Sequence, residues 1–138
     1  MMPAATPLPS RRTRNGCLVR QLDEVPVERT ICGSRRRLLS DGDDAAAFLH
    51  QVRIVDSTPH FHRETTEIYY VVAGNGWLLL DGEELAVRPG TCVEVKPGVV
   101  HSARGDIEVL VIGIPSIRES DTFVPAPEAR AGGAAAAD

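Results

Sequence analysis

EIYYVVAGNGWLLLDGEELAVRPGTCVEVKPGVVHSARGDIEVLVIGI, residues 67–114, decides the fold. Turn-forming clusters punctuate it at AGNG (73–76), DGEE (81–84), RPGT (88–91), KPG (96–98) and RGD (104–106). They recur at intervals of roughly 7–9 residues. Between them lie short runs of β-branched or large apolar residues: EIYYVV (67–72), WLLL (77–80), ELAV (84–87), CVEV (92–95), VVHSA (99–103) and IEVLVIGI (107–114). No helical period links them. Short strands at regular spacing, each expected to end in a chain reversal, read as an all-β sandwich or barrel.

Upstream, FLHQVRIVD (48–56) reads as a further strand and RTICG (29–33) as a possible edge strand. DGDDAAA (41–47) fits either a turn or one helical turn. Residues 1–16 and 125–138 are rich in Pro, Ala and Gly and have almost nothing to bury, so both read as disordered tails. That leaves 17–124 as a single domain, in keeping with a chain of 138 residues.

The chain has 15 Lys+Arg against 19 Asp+Glu, a net charge of 15 − 19 = −4, which argues against a nucleic-acid partner. No apolar run is long enough to span a membrane. Cys17, Cys32 and Cys92 are odd in number and form no CxxC pair, which predicts free thiols in a reducing compartment. The opening MMPAATPLPSRRTRNG has no apolar core of a secretory signal. Its Pro3, Pro7 and Pro9 oppose the amphipathic helix of a transit peptide. A cytoplasmic location is therefore expected.

Chemistry concentrates in four residues. His60 and His62 are two apart in PHFH, so an extended chain points both to one face and Phe61 to the other. Glu67 follows across the polar, turn-prone RETT and is expected at the start of the next antiparallel strand, aimed at the same cavity. His101, on the strand after KPG, can close the site from across a barrel. Three neutral imidazoles and a carboxylate suit one divalent ion such as Mn, Fe, Co, Ni or Zn. Four protein ligands on an octahedral ion leave two positions for water, substrate or O2.

These residues fall in a recognisable pattern. PHFHRETTEIYYVVAG resembles the first motif of the cupin family through His60, His62, Glu67 and Gly74, and PGTCVEVKPGVVH resembles the second through Gly90, Gly98 and His101. Ile54 stands where the first motif opens with Gly, Lys96 where the second has Pro, and Gly105 where it ends in Asn; no ligand position is affected. The resemblance covers residues 48–114, with the motifs within 54–105. It implies a small cupin of the conserved-barrel, RmlC-like type: a double-stranded β-helix or jelly roll, a divalent metal (Fe, Mn, Ni or Zn) and a homodimer. The function it implies is an enzyme acting on a small oxygen-rich metabolite chelated by the metal, with dioxygenase-like or decarboxylase-like chemistry. The alternatives are a sugar isomerase or epimerase, a non-catalytic small-molecule binder, or a barrel with vestigial histidines.

Tyr69 and Val71 share the parity of Glu67 and are candidates to line the substrate pocket. No general base is identifiable. Trp77 and Cys92 read as packing residues, and His50 as a histidine without partners. Arg35, Arg36 and Arg37 read as a solvated run, with an anion site at the barrel rim as the other reading.

Overall fold

A computed structural model describes residues 11–116 and 119–126. Nine strands appear in the order β1 (Arg11–Arg12), β2 (Leu18–Val19), β3 (Glu28–Thr30), β4 (Gly33–Leu39), β5 (Phe48–Asp56), β6 (Thr66–Leu80), β7 (Glu83–Val87), β8 (Cys92–Val95) and β9 (His101–Ile114). Among the described residues there are three short 3-10 turns and no α-helix.

Two long strands organise the molecule. β6 and β9 run antiparallel from Thr66 opposite Ile114 to Leu80 opposite His101. β8 pairs with the first part of β6 and β7 with its last part. β5 pairs with β9, β4 with β5, and β3 with β4, all antiparallel. His60 bridges His101 beyond the end of β5. The result is a jelly roll in which both long strands pass unbroken through a bend of one seven-stranded sheet.

That passage corrects two expected reversals. AGNG and RGD do not turn the chain back; they lie inside β6 and β9 and bend them. The register slips between Val71 and Ala73, and Gly74 and Gly105 take φ values of +86° and +96°. Gly76 faces Gly105, and a Cβ on Gly105 would stand 2.9 Å from the Gly76 Cα. Two backbones meeting this closely at a bend admit only hydrogen side chains. By contrast DGEE does reverse the chain, with Asp81 and Gly82 both at positive φ between β6 and β7, as a two-residue hairpin requires. RTICG is also corrected: Ile31 and Cys32 are the turn between β3 and β4, not strand. DGDDAAA resolves to a 3-10 turn at Asp41–Asp43, closed by a Ser40–Asp43 capping box.

The strand alternation fills the interior. Phe48, His50, Val52 and Ile54 of β5, Tyr69 and Val71 of β6, and Ile107, Val109 and Val111 of β9 are buried. Phe48 packs against Gly113, where any Cβ would overlap its ring. Cys92 and Trp77 depart from expectation and are exposed rather than packed inside. Cys92 pairs with Tyr70, so both belong to the outer set of the alternation.

Most of the expected N-terminal tail, residues 1–10, lies outside the described residues, as does 127–138 of the C-terminal one. Arg11–Arg12 pair with Leu18–Val19 in a small hairpin. Arg12 donates to the Asp43 carbonyl, and Arg20 donates to the Asp43 carboxylate at 2.6 and 2.8 Å and to the Leu38 carbonyl. The paired Arg20 guanidinium holds the Asp43 carboxyl down at about 2 against the opposing effect of partial burial.

Candidate metal centre

The four residues singled out by spacing meet in one buried place. His60, His62, Glu67 and His101 are all buried, and one ring nitrogen from each histidine lies within 4.8 Å of the others. Backbone hydrogen bonds in both directions tie His60 to His101. Phe61 faces away and stacks on Phe123 at 5.5 Å, as the alternation required. Glu67 is the second residue of β6, beside Gly113 of β9 and Val95 of β8.

The hydrogen bonds around the rings fix their orientation. Nδ1 of His60 lies 2.8 Å from the Thr58 carbonyl, Nδ1 of His62 3.0 Å from the Asp121 carbonyl, and Nδ1 of His101 2.9 Å from the Val99 carbonyl. A carbonyl oxygen only accepts, so each Nδ1 carries the proton. In a neutral ring the lone pair is then on Nε2. Nε2 of His101 stands 3.1 Å from Glu67 Oε1. Nε2 of His62 stands 3.3 Å from Glu67 Oε2, out of hydrogen-bonding geometry. Neutral rings would therefore turn lone pairs toward a buried carboxylate with no proton between them. A cation at the centre, or a proton on a ring, resolves the conflict.

The titration tendencies of Glu67 and His60 agree with such a centre. Burial works to raise the Glu67 carboxyl, but His101 and His62 hold it below the usual carboxylate range, so it stays ionised. Burial, then the neighbouring His101, pushes His60 down to about 4 and keeps it neutral. For His62 burial is outweighed by Glu67 and Asp121, which raise it. Burial and the Glu67 charge push the Tyr69 hydroxyl well above its ordinary value, so Tyr69 is a hydrogen-bond donor rather than a base.

This donor set fits a divalent metal. Ligand atoms about 2.1 Å from one ion stand roughly 3 Å from their nearest neighbours, close to the two nitrogen–oxygen spacings found here. Proton-bearing Nδ1 atoms anchored on backbone carbonyls are the usual outer support of metal-binding imidazoles.

A cavity of about 380 Å³ opens onto this cluster. His60, His62, Glu67 and Tyr69 line it, together with His50, Arg35 and Arg37. Val71, the other expected pocket residue, is fully buried in the core and does not line the cavity. Arg35 and Arg37 are not a merely solvated run: their positions on β4 pair with Val52 and His50, whose side chains point inward. Sequence reasoning missed the support that residues 119–126 give to His62. The Asp121 carboxylate accepts from the backbone N–H of Arg63 and Glu64, and the Arg63 guanidinium lies 4.0 Å from the Phe123 ring centre. No residue type in that segment signals such a contact in advance.

Comparison with known proteins completes the assignment. The sequence matches the family described as "Cupin domain" over residues 53–113. It is 37% identical over 68 residues to quercetin 2,3-dioxygenase of Bacillus subtilis (strain 168), a match covering 45% of this chain but only 19% of that enzyme. The fold is similar to a protein from Planctomyces limnophilus at a TM-score of 0.72 and 22% identity, covering 76% of this chain and 94% of that one. It is also similar to ectoine synthase from P. lautus at a TM-score of 0.67 and 20% identity, covering 87% and 99%. Jelly roll, motif residues and family match coincide: the chain carries a cupin domain over residues 53–113.

Proposed function

We propose that this cupin binds one divalent transition metal through His60, His62, Glu67 and His101, and acts on a small oxygen-rich molecule that chelates the metal's remaining positions. The observation that carries the reading is the set of three Nδ1–carbonyl hydrogen bonds, which turn Nε2 of His62 and His101 to the buried Glu67 carboxylate, with a ring nitrogen of His60 within 4.8 Å of theirs. A bound metal would supply Lewis-acid polarisation of a chelating oxygen or, with a redox-active ion, electron transfer with O2. The chain's own residues do the rest. The backbone carbonyls of Thr58, Val99 and Asp121 hold the rings in the ligating tautomer. Tyr69 retains its proton and can offer it as a hydrogen bond to an oxygen next to Glu67. Phe48, Val52, Ile54 and Val111 keep the cavity wall apolar and its local dielectric low.

Similarity to part of quercetin 2,3-dioxygenase supports the dioxygenase-like reading over decarboxylation or isomerisation. We place the protein in a reducing compartment such as the cytoplasm, because all three cysteines are unpaired. No helix among the described residues is long and apolar enough to cross a membrane.

Equilibrium dialysis against cobalt(II) tests the site. One ion per chain is expected, and Glu67→Gln or His62→Ala should weaken binding by about tenfold or more. Unaltered cobalt affinity in both variants would show that the metal is held elsewhere.

A further inference from the structure

The cavity has a second polar wall that the metal site does not use. His50 lines it, is only 7% exposed, and its Nε2 has no hydrogen-bond partner. A buried imidazole without a partner is costly in an apolar barrel. Arg37 lies directly across from His50 in the β4–β5 register and also lines the cavity, with its side chain 42% exposed. Its Nε and Nη2 both donate to Glu28 Oε2, which fixes the guanidinium at the cavity wall. Arg35 sits deeper on the same strand, its side chain 21% exposed, and donates through Nε to Glu28 Oε1. Two arginines share the single Glu28 carboxylate, which leaves one positive charge in excess within that trio. Burial, then the Arg35 charge, lowers His50 to about 4, so the ring is neutral and able to donate or accept.

The two walls are well separated. Glu67 is on β6 and His50 on β5, with β9 between them, and Arg37 is one strand further on. Strands stand about 4.8 Å apart, so a ligand reaching both walls needs a backbone of a few carbons.

We infer that His50 and Arg37, with Arg35 behind them, form an anion subsite. The molecule taken by this cavity is then an organic diacid, chelating at one end through the His60–His62–Glu67–His101 centre and carrying its second carboxylate to this wall. Guanidinium suits that role because its planar donors match a carboxylate. His50 supplies the hydrogen bond that the carboxylate needs on its buried side. This inference rests on the proposed metal site.

Calorimetric titration of the zinc-loaded full chain tests it, with zinc content measured first. The probes are 2-hydroxyglutarate and malate, each against its terminal-methyl counterpart, 2-hydroxyvalerate and 2-hydroxybutyrate. Each pair chelates identically and differs only in the second carboxylate. One diacid of the two should bind at least about tenfold tighter than its counterpart, and Arg37→Gln should reduce that preference to about threefold or less. His50→Leu should do the same, with zinc content and binding of the monoacids unchanged. Arg37 is half-exposed, so its variant keeps the test open even if the His50 variant does not fold. Equal binding within both pairs, no binding of any probe, or a preference that survives Arg37→Gln would overturn the anion subsite alone. A wild type that holds no zinc would overturn it together with the metal reading.

Discussion

At the scale of single residues, the centre is built by hydrogen bonds made away from it. Nδ1 of His60, His62 and His101 is committed in each case to a backbone carbonyl, and that commitment decides what Nε2 can do. The parity of His60 and His62 was legible because alternation is a strict property of extended chain. The parity of Tyr69 was legible for the same reason. Val71 shares it, yet lies too far along β6 to reach the cavity. His50 could not be read in advance, because only the assembled sheet shows that a lone histidine faces the cavity. Its titration yields a prediction for the metal-free protein. An ordinary histidine titrates near 6.5 and folded His50 at about 4. Between those values the unfolded chain takes up a proton that the folded chain refuses, so stability falls as pH drops through this window and levels off below it. His60 acts in the same direction. Replacing His50 with Leu should make the decline in thermal midpoint between pH 6.5 and 4 shallower. An equally steep decline in the variant would contradict the burial assigned to His50.

At the scale of elements, the strand segments were legible and their continuity was not. Glycine marks both a reversal and a bend, because each needs φ values that other residues avoid. Asp81–Gly82 reverses the chain, whereas Gly74 and Gly105 keep two long strands paired through a corner. The difference lies in the partner strand, which local sequence does not describe. The corner gives an element-level prediction. Gly105 and Gly90 both have positive φ, but only Gly105 has another backbone against it. Gly105→Ala should destabilise the fold by about 2–4 kcal/mol, and Gly90→Ala by about 1 kcal/mol. Urea denaturation of the two variants measures the difference; a Gly105→Ala loss no larger than that of Gly90→Ala would contradict the close approach.

At the scale of the whole molecule, chain segments far apart in sequence converge on the barrel mouth. The Asp121–Phe123 stretch reaches back to His62 and Phe61, and the N-terminal hairpin is clamped to the Asp41–Asp43 turn by Arg12 and Arg20. A small apolar patch lies on the outer surface: Tyr70 and Val72 of β6 are exposed, beside the partly buried Leu110 and Ile112 of β9, with Glu94 and Glu108 on the same outward row. We propose that a second copy of the chain covers it, since apolar clusters of this kind mark association surfaces. Light scattering on the eluting protein should give twice the chain mass of 14.9 kDa, and Tyr70→Glu should halve it. A monomeric wild type would rule that pairing out.

The central claim is that three imidazoles and one carboxylate share a single ion. Anomalous scattering from crystals of protein purified without chelator or nickel resin, then loaded with zinc, tests it most directly. One peak is expected, about 2.0–2.2 Å from Nε2 of His60, His62 and His101 and from a Glu67 oxygen. Zinc-loaded crystals without a peak between these residues, or with the zinc bound elsewhere, would contradict the account.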